Sequence, residues 1–240
     1  MPKFSSAAID VRDFWEKKIL VWERGRYDSK KQNQGSLENI ANRASDSLRY
    51  RLKIATELLT PHVTGKRVVE LGCGSGLLAG KFIDAGALSF TGYDIAEGAI
   101  SRAKEHYAGG PYEKNVHFIT ADLNKLDSLD ADIVFSLGLL DWLSDSEILH
   151  LFKISGQAQF LHAISEKRFS LSLFLHKIYC YVSYGYRTRG YVPRYVSPGE
   201  MFALVGDSAG GRDFYVYRDP KLSFGALLSS LPVGNRHRDS

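Results

Sequence analysis

Apolar positions recur at helical spacing along the first sixty residues, and then the pattern changes. Val11, Phe14, Trp15, Ile19 and Trp22 fall on one stripe, which predicts an amphipathic helix over 10–24 with Asp10 as its cap. A polar loop at 28–36 follows. Leu37, Ile40, Ala44, Leu48, Leu52, Ala55 and Leu59 then mark a second helix over 37–59, which Pro61 ends. From Arg67 onward short apolar runs alternate with amphipathic ones. Strands are predicted at 67–71, 90–93, 116–120, 131–136 and 158–165, with helices at 77–85, 97–107 and 144–152. This alternation predicts a parallel sheet covered by helices on both faces. Ser197 opens a last helix over 198–206. Two strands, 213–217 and 223–230, then follow with no helix between them, so one terminal strand must run antiparallel. The tail 232–240 is expected to be loose.

Composition narrows this picture without redirecting it. With 240 residues, 44% hydrophobic and 24% charged, the chain has the makeup of an ordinary globule and not of a disordered or fibrous one. Its net charge of +4 is too mild to require a nucleic-acid partner. The distribution is uneven: residues 121–150 carry −6 and residues 151–200 carry +5. Cys73 and Cys180 cannot build a multi-bridge framework, so a reducing cytoplasm is the expectation. Met1 to Val11 has no apolar core of signal-peptide length. The greasiest run, Leu171 to Tyr184, contains His176 and Lys177 within 14 residues and is too short to span a bilayer.

The sharpest chemical signal is Val68-Val69-Glu70-Leu71-Gly72-Cys73-Gly74-Ser75-Gly76. Glycines let the backbone turn sharply and let a ligand press against it. The helix after the loop aims free N–H groups at an anion, such as a carboxylate. Glu70 places a negative charge beside the same spot, which suits an ammonium. A ligand with both groups is an amino acid. Asp94, 18 residues after Gly76, ends the next strand and can accept from two ribose hydroxyls. Asp122 can accept from an adenine amine, with Ile95 and Leu123 sandwiching the ring. Together these groups describe S-adenosylmethionine. A dinucleotide dehydrogenase fits less well: the third small position of its fingerprint would fall on Leu77, and Glu70 would repel a pyrophosphate.

Glu70-x-Gly72-x-Gly74-x-Gly76, Asp94, Asp122 and Ser136-Leu137-Gly138-Leu139-Leu140 resemble, in order, the successive motifs of the class I S-adenosylmethionine-dependent methyltransferases. The resemblance covers roughly residues 65–165, and the terminal hairpin is similar to that family's inserted last strand. It implies an α/β fold: a doubly wound, seven-stranded, mostly parallel sheet with an antiparallel C-terminal strand. It also implies a cofactor across the C-terminal strand ends. Gly72, Gly74 and the Leu137 backbone would then flank the methionine part, Asp94 the ribose, and Asp122 with Leu123 the adenine, with Cys73, Gly76 and Ser136 also at the cofactor. Residues 1–60 read as an N-terminal helical extension, and 61–240 as the methyltransferase domain. Trp15, Trp22, Arg26 and Tyr27 could fold over the cofactor as a lid or form a packing appendage. Arg51 could reach the methionine carboxylate or be an exposed helix charge.

The segments after the fourth and fifth strands bear on the acceptor. The stretch 136–143 lacks the Asn/Asp-Pro-Pro-aromatic motif of amino-methylating DNA enzymes, and neither cysteine follows a proline, so nucleic acid is disfavoured. Glu166-Lys167-Arg168 stands where metal-dependent members place an Asp-Asn pair, so no metal site is expected. Asp141 is either a base or a structural residue. Residues 166–196 are the expected acceptor cap, with Tyr184, Tyr186, Arg187, Arg189, Tyr191 and Arg194 as binding residues for an anionic or glycan-like small molecule. The same segment also reads as a solvated loop or as a peripheral membrane patch. His176 is the better candidate for a general base.

Overall fold

The computed structural model describes residues 10–27, 36–167, 191–206, 208–233 and 235–236; in its first two helices the side chains described are those of 10–19, 23, 47 and 49–59. Two helices, α1 (Val11–Tyr27) and α2 (Ser36–Leu59), precede the sheet. Asp10 caps α1, its carboxylate accepting from the Asp13 amide at 3.1 Å. The alternating part runs β1 (Arg67–Leu71), α3 (Ala79–Asp84), β2 (Ser89–Asp94), α4 (Glu97–Tyr107), β3 (Val116–Thr120), β4 (Ile133–Leu137), α5 (Asp145–Ser155) and β5 (Gln159–Ser165). The chain ends with α6 (Pro198–Val205), β6 (Tyr215–Tyr217), β7 (Gly225–Ser229) and β8 (Asn235–Arg236). Capping boxes start α5 (Ser144 with Glu147) and α6 (Ser197 with Glu200).

The sheet order is β3-β2-β1-β4-β5-β7-β6-β8. Strands β1 to β5 are parallel, and β7 runs antiparallel to both β5 and β6. An eighth strand extends the seven expected, because Asn235 and Arg236, read as part of a loose tail, pair with Val216 and Tyr215 on the edge.

Side chains of each strand alternate between two buried layers, so the strands read as continuous apolar runs. Val68, Phe90, Phe135 and Leu161 pack with Leu59 of α2, Phe82 of α3 and Ile100 of α4. Val69, Val134, Phe160 and Ile164 pack with Ile148 and Leu151 of α5 and with Met201 and Val205 of α6. Ile54, Ala55 and Leu59 are buried in the first layer, and the Tyr50 hydroxyl donates to Asp219 at 2.8 Å, so α2 is built into the sheet's cover. No helix among the described residues is long and apolar enough to cross a membrane.

From β1 the chain winds to β2 and β3 on one side, and β4 and β5 lie on the other. The connections therefore diverge at the C-terminal ends of β1 and β4 and leave a crevice there.

Candidate functional site

The glycine loop leaves β1 inside that crevice. Gly72, Gly74 and Gly76 all have positive φ, near 71°, 53° and 72°. The Gly72 and Cys73 amides donate to the Tyr93 carbonyl at 2.8 and 3.1 Å, which folds the loop back over β2. Cys73 turns its thiol inward against Gly92, where an added Cβ would stand 2.7 Å from the sulfur. Burial pushes that thiol's pKa well up, so its contribution to a ligand site is backbone only. Behind the loop, the Tyr107 hydroxyl of α4 accepts from the Gly80 amide and donates to the Gly76 carbonyl, each at 3.0 Å. This brace was not read from the sequence, where Tyr107 looks like any apolar helix position.

Glu70, at the end of β1, is only 4% exposed, and its Oε2 has no hydrogen-bond partner. Burial pushes its pKa well above the ordinary carboxylate range, and the charges of Asp94 and Glu23 add to the shift. Asp94 ends β2 with Oδ2 accepting from the Gly74 amide and Oδ1 from the Ala96 amide, both at 2.9 Å. Burial raises its pKa, and those amide bonds pull it back. A carboxylate has about four acceptor positions, so two remain for ligand hydroxyls. Asp122 and Leu123 come after β3 and are half-buried, and Asp122 accepts from the Asn124 amide at 3.1 Å. Ile95 is likewise half-buried, just beyond Asp94.

Helix α1 crosses these strand ends. Its Glu23 carboxylate accepts from the Ser75 amide at 2.9 Å, and Glu16 accepts from the Gly98 amide at the start of α4 at 2.8 Å. Phe14 and Trp15 join Trp142 and Tyr191 in one cluster, with Trp15 and Trp142 centroids 5.0 Å apart and Trp142 and Tyr191 5.1 Å apart. The Trp15 indole N–H donates to the Tyr191 hydroxyl at 3.3 Å, and burial raises the Tyr191 pKa. Sequence reading singled out Trp15 and Tyr191 separately. The acids Glu16 and Glu23 were missed, because on a helix of mixed charge they look like solvated surface.

The segment after β4 closes the other side. Ser136 is fully buried, and its hydroxyl meets His162 Nδ1 at 2.9 Å. Leu137 is half-buried against the first core layer. Asp141 is buried with both carboxylate oxygens on Ser165, one accepting from its amide and one from its hydroxyl, each at 2.7 Å. Burial raises its pKa while Arg51, Ser165 and Arg194 lower it. Those two bonds tie the loop after β4 to the end of β5. Arg194, expected on an acceptor, donates to the Leu143 carbonyl at 3.0 Å and to Asp145 at 2.6 Å. Arg51 of α2 reaches the same loop: a Cβ on Gly138 would stand 3.1 Å from its guanidinium nitrogen. No carboxylate lies within ion-pair distance of Arg51 among the described residues.

His176, Tyr184, Tyr186, Arg187 and Arg189, and with them most of the 166–196 cap, lie outside the described residues, as does the side chain of Tyr27. At the end of β5, Glu166 bridges to Val196 and pairs with Arg218 at 2.8 Å. No group of three potential metal ligands occurs among the described residues.

The residues present fit S-adenosylmethionine. The glycine loop offers backbone for close approach, Asp94 keeps free acceptor positions, and Glu70 holds an orphaned buried oxygen beside them. Comparison with known proteins agrees. Residues 68–155 match the family model described as a methyltransferase domain. The tRNA U34 carboxymethyltransferase of Shewanella halifaxensis is 32% identical over 107 residues, 42% of this chain and 32% of that protein. The ubiquinone biosynthesis O-methyltransferase of Coxiella burnetii is 32% identical over 99 residues, 40% of each. The match thus spans less than half the length of these curated relatives. Among solved structures, the magnesium protoporphyrin IX methyltransferase of Synechocystis PCC 6803 with bound SAH superposes with a TM-score of 0.69 at 20% identity, over 91% of this chain and 96% of that one. The glycine loop, the acid-ended strands and the reversed hairpin stand in one fold, which is that of the solved methyltransferase, and residues 68–155 of this chain are similar to the methyltransferase domain.

Proposed function

We propose that the protein transfers a methyl group from S-adenosylmethionine to a small-molecule acceptor, at a hydroxyl of an anionic or glycan-like metabolite. The observation that carries the cofactor reading is the juxtaposition of Asp94, anchored on the Gly74 amide, with the unpartnered buried oxygen of Glu70. That pairing suits ribose hydroxyls next to an ammonium and is hostile to a pyrophosphate. A small-molecule acceptor at oxygen is supported by the ubiquinone biosynthesis O-methyltransferase among the relatives.

Bound S-adenosylmethionine supplies a methyl on a positively charged sulfur, a leaving group that needs no further activation. The chain's work is alignment and exclusion of water. Asp94 orients the ribose, Asp122 and Leu123 the adenine, and Glu70 with Arg51 the amino-acid end. Asp141 acts as a positioning residue: through Ser165 it fixes the loop after β4 against β5, so Gly138 and Trp142 hold their places. Phe14, Trp15, Trp142 and Tyr191 form an apolar roof that keeps water away. His176 is proposed as the base that takes the acceptor's proton, with Tyr184, Tyr186, Arg187 and Arg189 on the acceptor.

The test is transfer of labelled methyl into a metabolite extract, with identification of the labelled product. Label in a small molecule, lost in Asp94→Ala, supports the reading. Label only in nucleic acid or protein, when these are supplied, overturns the acceptor class.

A further inference from the structure

We infer that α1, which lies outside the matched methyltransferase segment, supplies part of the cofactor site itself: Glu23 receives the ammonium of the ligand's amino-acid end. The inference rests on the S-adenosyl reading above and extends it to a residue that neither the motifs nor the relatives assign.

Three separate attachments fix α1 across the crevice. Glu23 sits on the glycine loop after β1, Glu16 on the start of α4 after β2, and the Phe14–Trp15 pair on Trp142 after β4. Each strand end that borders the crevice therefore holds the helix, and Glu23 is its residue over the loop. A Cβ on Gly74 would collide with the Glu23 carboxylate, and the Ile19 methyl would lie 3.7 Å from it, so the helix approaches the loop as closely as a glycine permits.

The charges there are unbalanced. Glu23, Glu70 and Asp94 act on one another through their charges, and among the described residues none of the three forms an ion pair. Clustered carboxylates with no cation are unfavourable in a buried site unless a ligand brings one. The orphaned, nine-tenths buried Oε2 of Glu70 points to the same missing donor. An ammonium has three donors and one positive charge, and so answers both needs. Across the crevice, Arg51 of α2 stands beside Gly138; its charge acts on buried Asp141, and among the described residues it forms no ion pair. A negative pole at the β1 loop and a positive pole at the β4 loop match the two ends of an α-amino acid. Both poles are completed by the N-terminal helices.

The experiment is calorimetric titration of the full chain, wild type and Glu23→Gln, with two probes. S-adenosylhomocysteine carries the amino-acid end; 5′-methylthioadenosine has the same nucleoside and thioether without it. Gln keeps an acceptor for the Ser75 amide but loses the charge. The expected result is about a ten-fold or larger loss of S-adenosylhomocysteine affinity, the size of a hydrogen bond to a charged group. Methylthioadenosine affinity should stay within about two-fold, within the range of a neutral surface change. Equal losses for both probes would mean that Glu23 only shapes the loop. Tighter binding of S-adenosylhomocysteine would mean that it competes for the ligand's place; either result overturns the inference and leaves the cofactor reading intact. If the wild type binds neither probe, the cofactor reading itself fails and the inference falls with it.

Discussion

Gly72 and Gly76 have nearly the same backbone, φ of 71° and 72°, yet replacing them by alanine should have different consequences. A Cβ in the left-handed region costs roughly 1–2 kcal/mol at either position. The surroundings differ. At Gly72 the new methyl would stand 3.4 Å from the Leu139 side chain, a contact relieved by a few tenths of an ångström, and it would face the crevice. At Gly76 it would fall 2.6 Å from Cζ of Phe118 and 3.4 Å from the Ala103 methyl. Phe118 cannot swing away, because Tyr107 stacks on it at 5.5 Å and Phe90 packs at 6.2 Å. Overpacking of this kind adds roughly 1–3 kcal/mol. The backbone strain cancels in the comparison, so Gly76→Ala should be less stable than Gly72→Ala by about 1–3 kcal/mol, or about 2–12 °C in melting temperature. Denaturant unfolding of the two variants and the parent measures the difference. Gly72→Ala should instead stay folded and lose S-adenosylhomocysteine binding. Equal stabilities, or undiminished binding by Gly72→Ala, would refute the division into a packing glycine and a ligand glycine.

Buried Glu70 should make the unliganded protein sensitive to base. An acid whose folded pKa is raised keeps a proton that the unfolded chain has released, so stability is full below about pH 4.3 and declines as pH rises toward the raised value. Melts from about pH 5 to about pH 8 should show this decline in the parent and a shallower one in Glu70→Gln, where buried Asp94 and Asp141 still contribute with the same sign. His162 acts on the other side: burial holds it neutral, with its pKa pushed down to about 3. The unfolded chain therefore takes the proton first, and stability is full above about pH 6.5 and lost as pH falls, by up to about 1.4 kcal/mol per pH unit. His162→Phe should flatten that acid slope in denaturant titrations. Asp141→Asn cannot accept from both Ser165 groups, so it should lose about 1–3 kcal/mol of stability with an unchanged pH profile of methyl transfer. A shifted profile with parental stability would instead make Asp141 the base.

The alternating sheet was legible because each strand–helix unit is a local event: apolar run, turn glycine, amphipathic helix. Ser144 and Ser197 announce α5 and α6 through capping boxes that lie within four residues of sequence. Gly72, Asp94 and Asp122 were legible for the same reason, since each sits at or just beyond the end of its strand. The hidden features depend on contacts distant in sequence. Trp15 meets Tyr191 across 176 positions, and Glu23 meets Ser75 across 52. No periodicity encodes such pairings. Arg194 reads as a free anion-binding fork until Asp145 and the Leu143 carbonyl are seen to hold it. Ser136 meets His162 across the β4–β5 pair, a contact that no motif encodes. The two residues of β8 are too short to carry an alternating pattern.

The most direct test of the cofactor site is parallel calorimetric titration with S-adenosylmethionine, S-adenosylhomocysteine and NAD. Glycine loop, Asp94 and Glu70 together predict micromolar-range binding of both adenosyl ligands and no heat from NAD. Binding of NAD alone would contradict the site as read from β1 and β2, because its pyrophosphate would have to rest against Glu70 and Glu23.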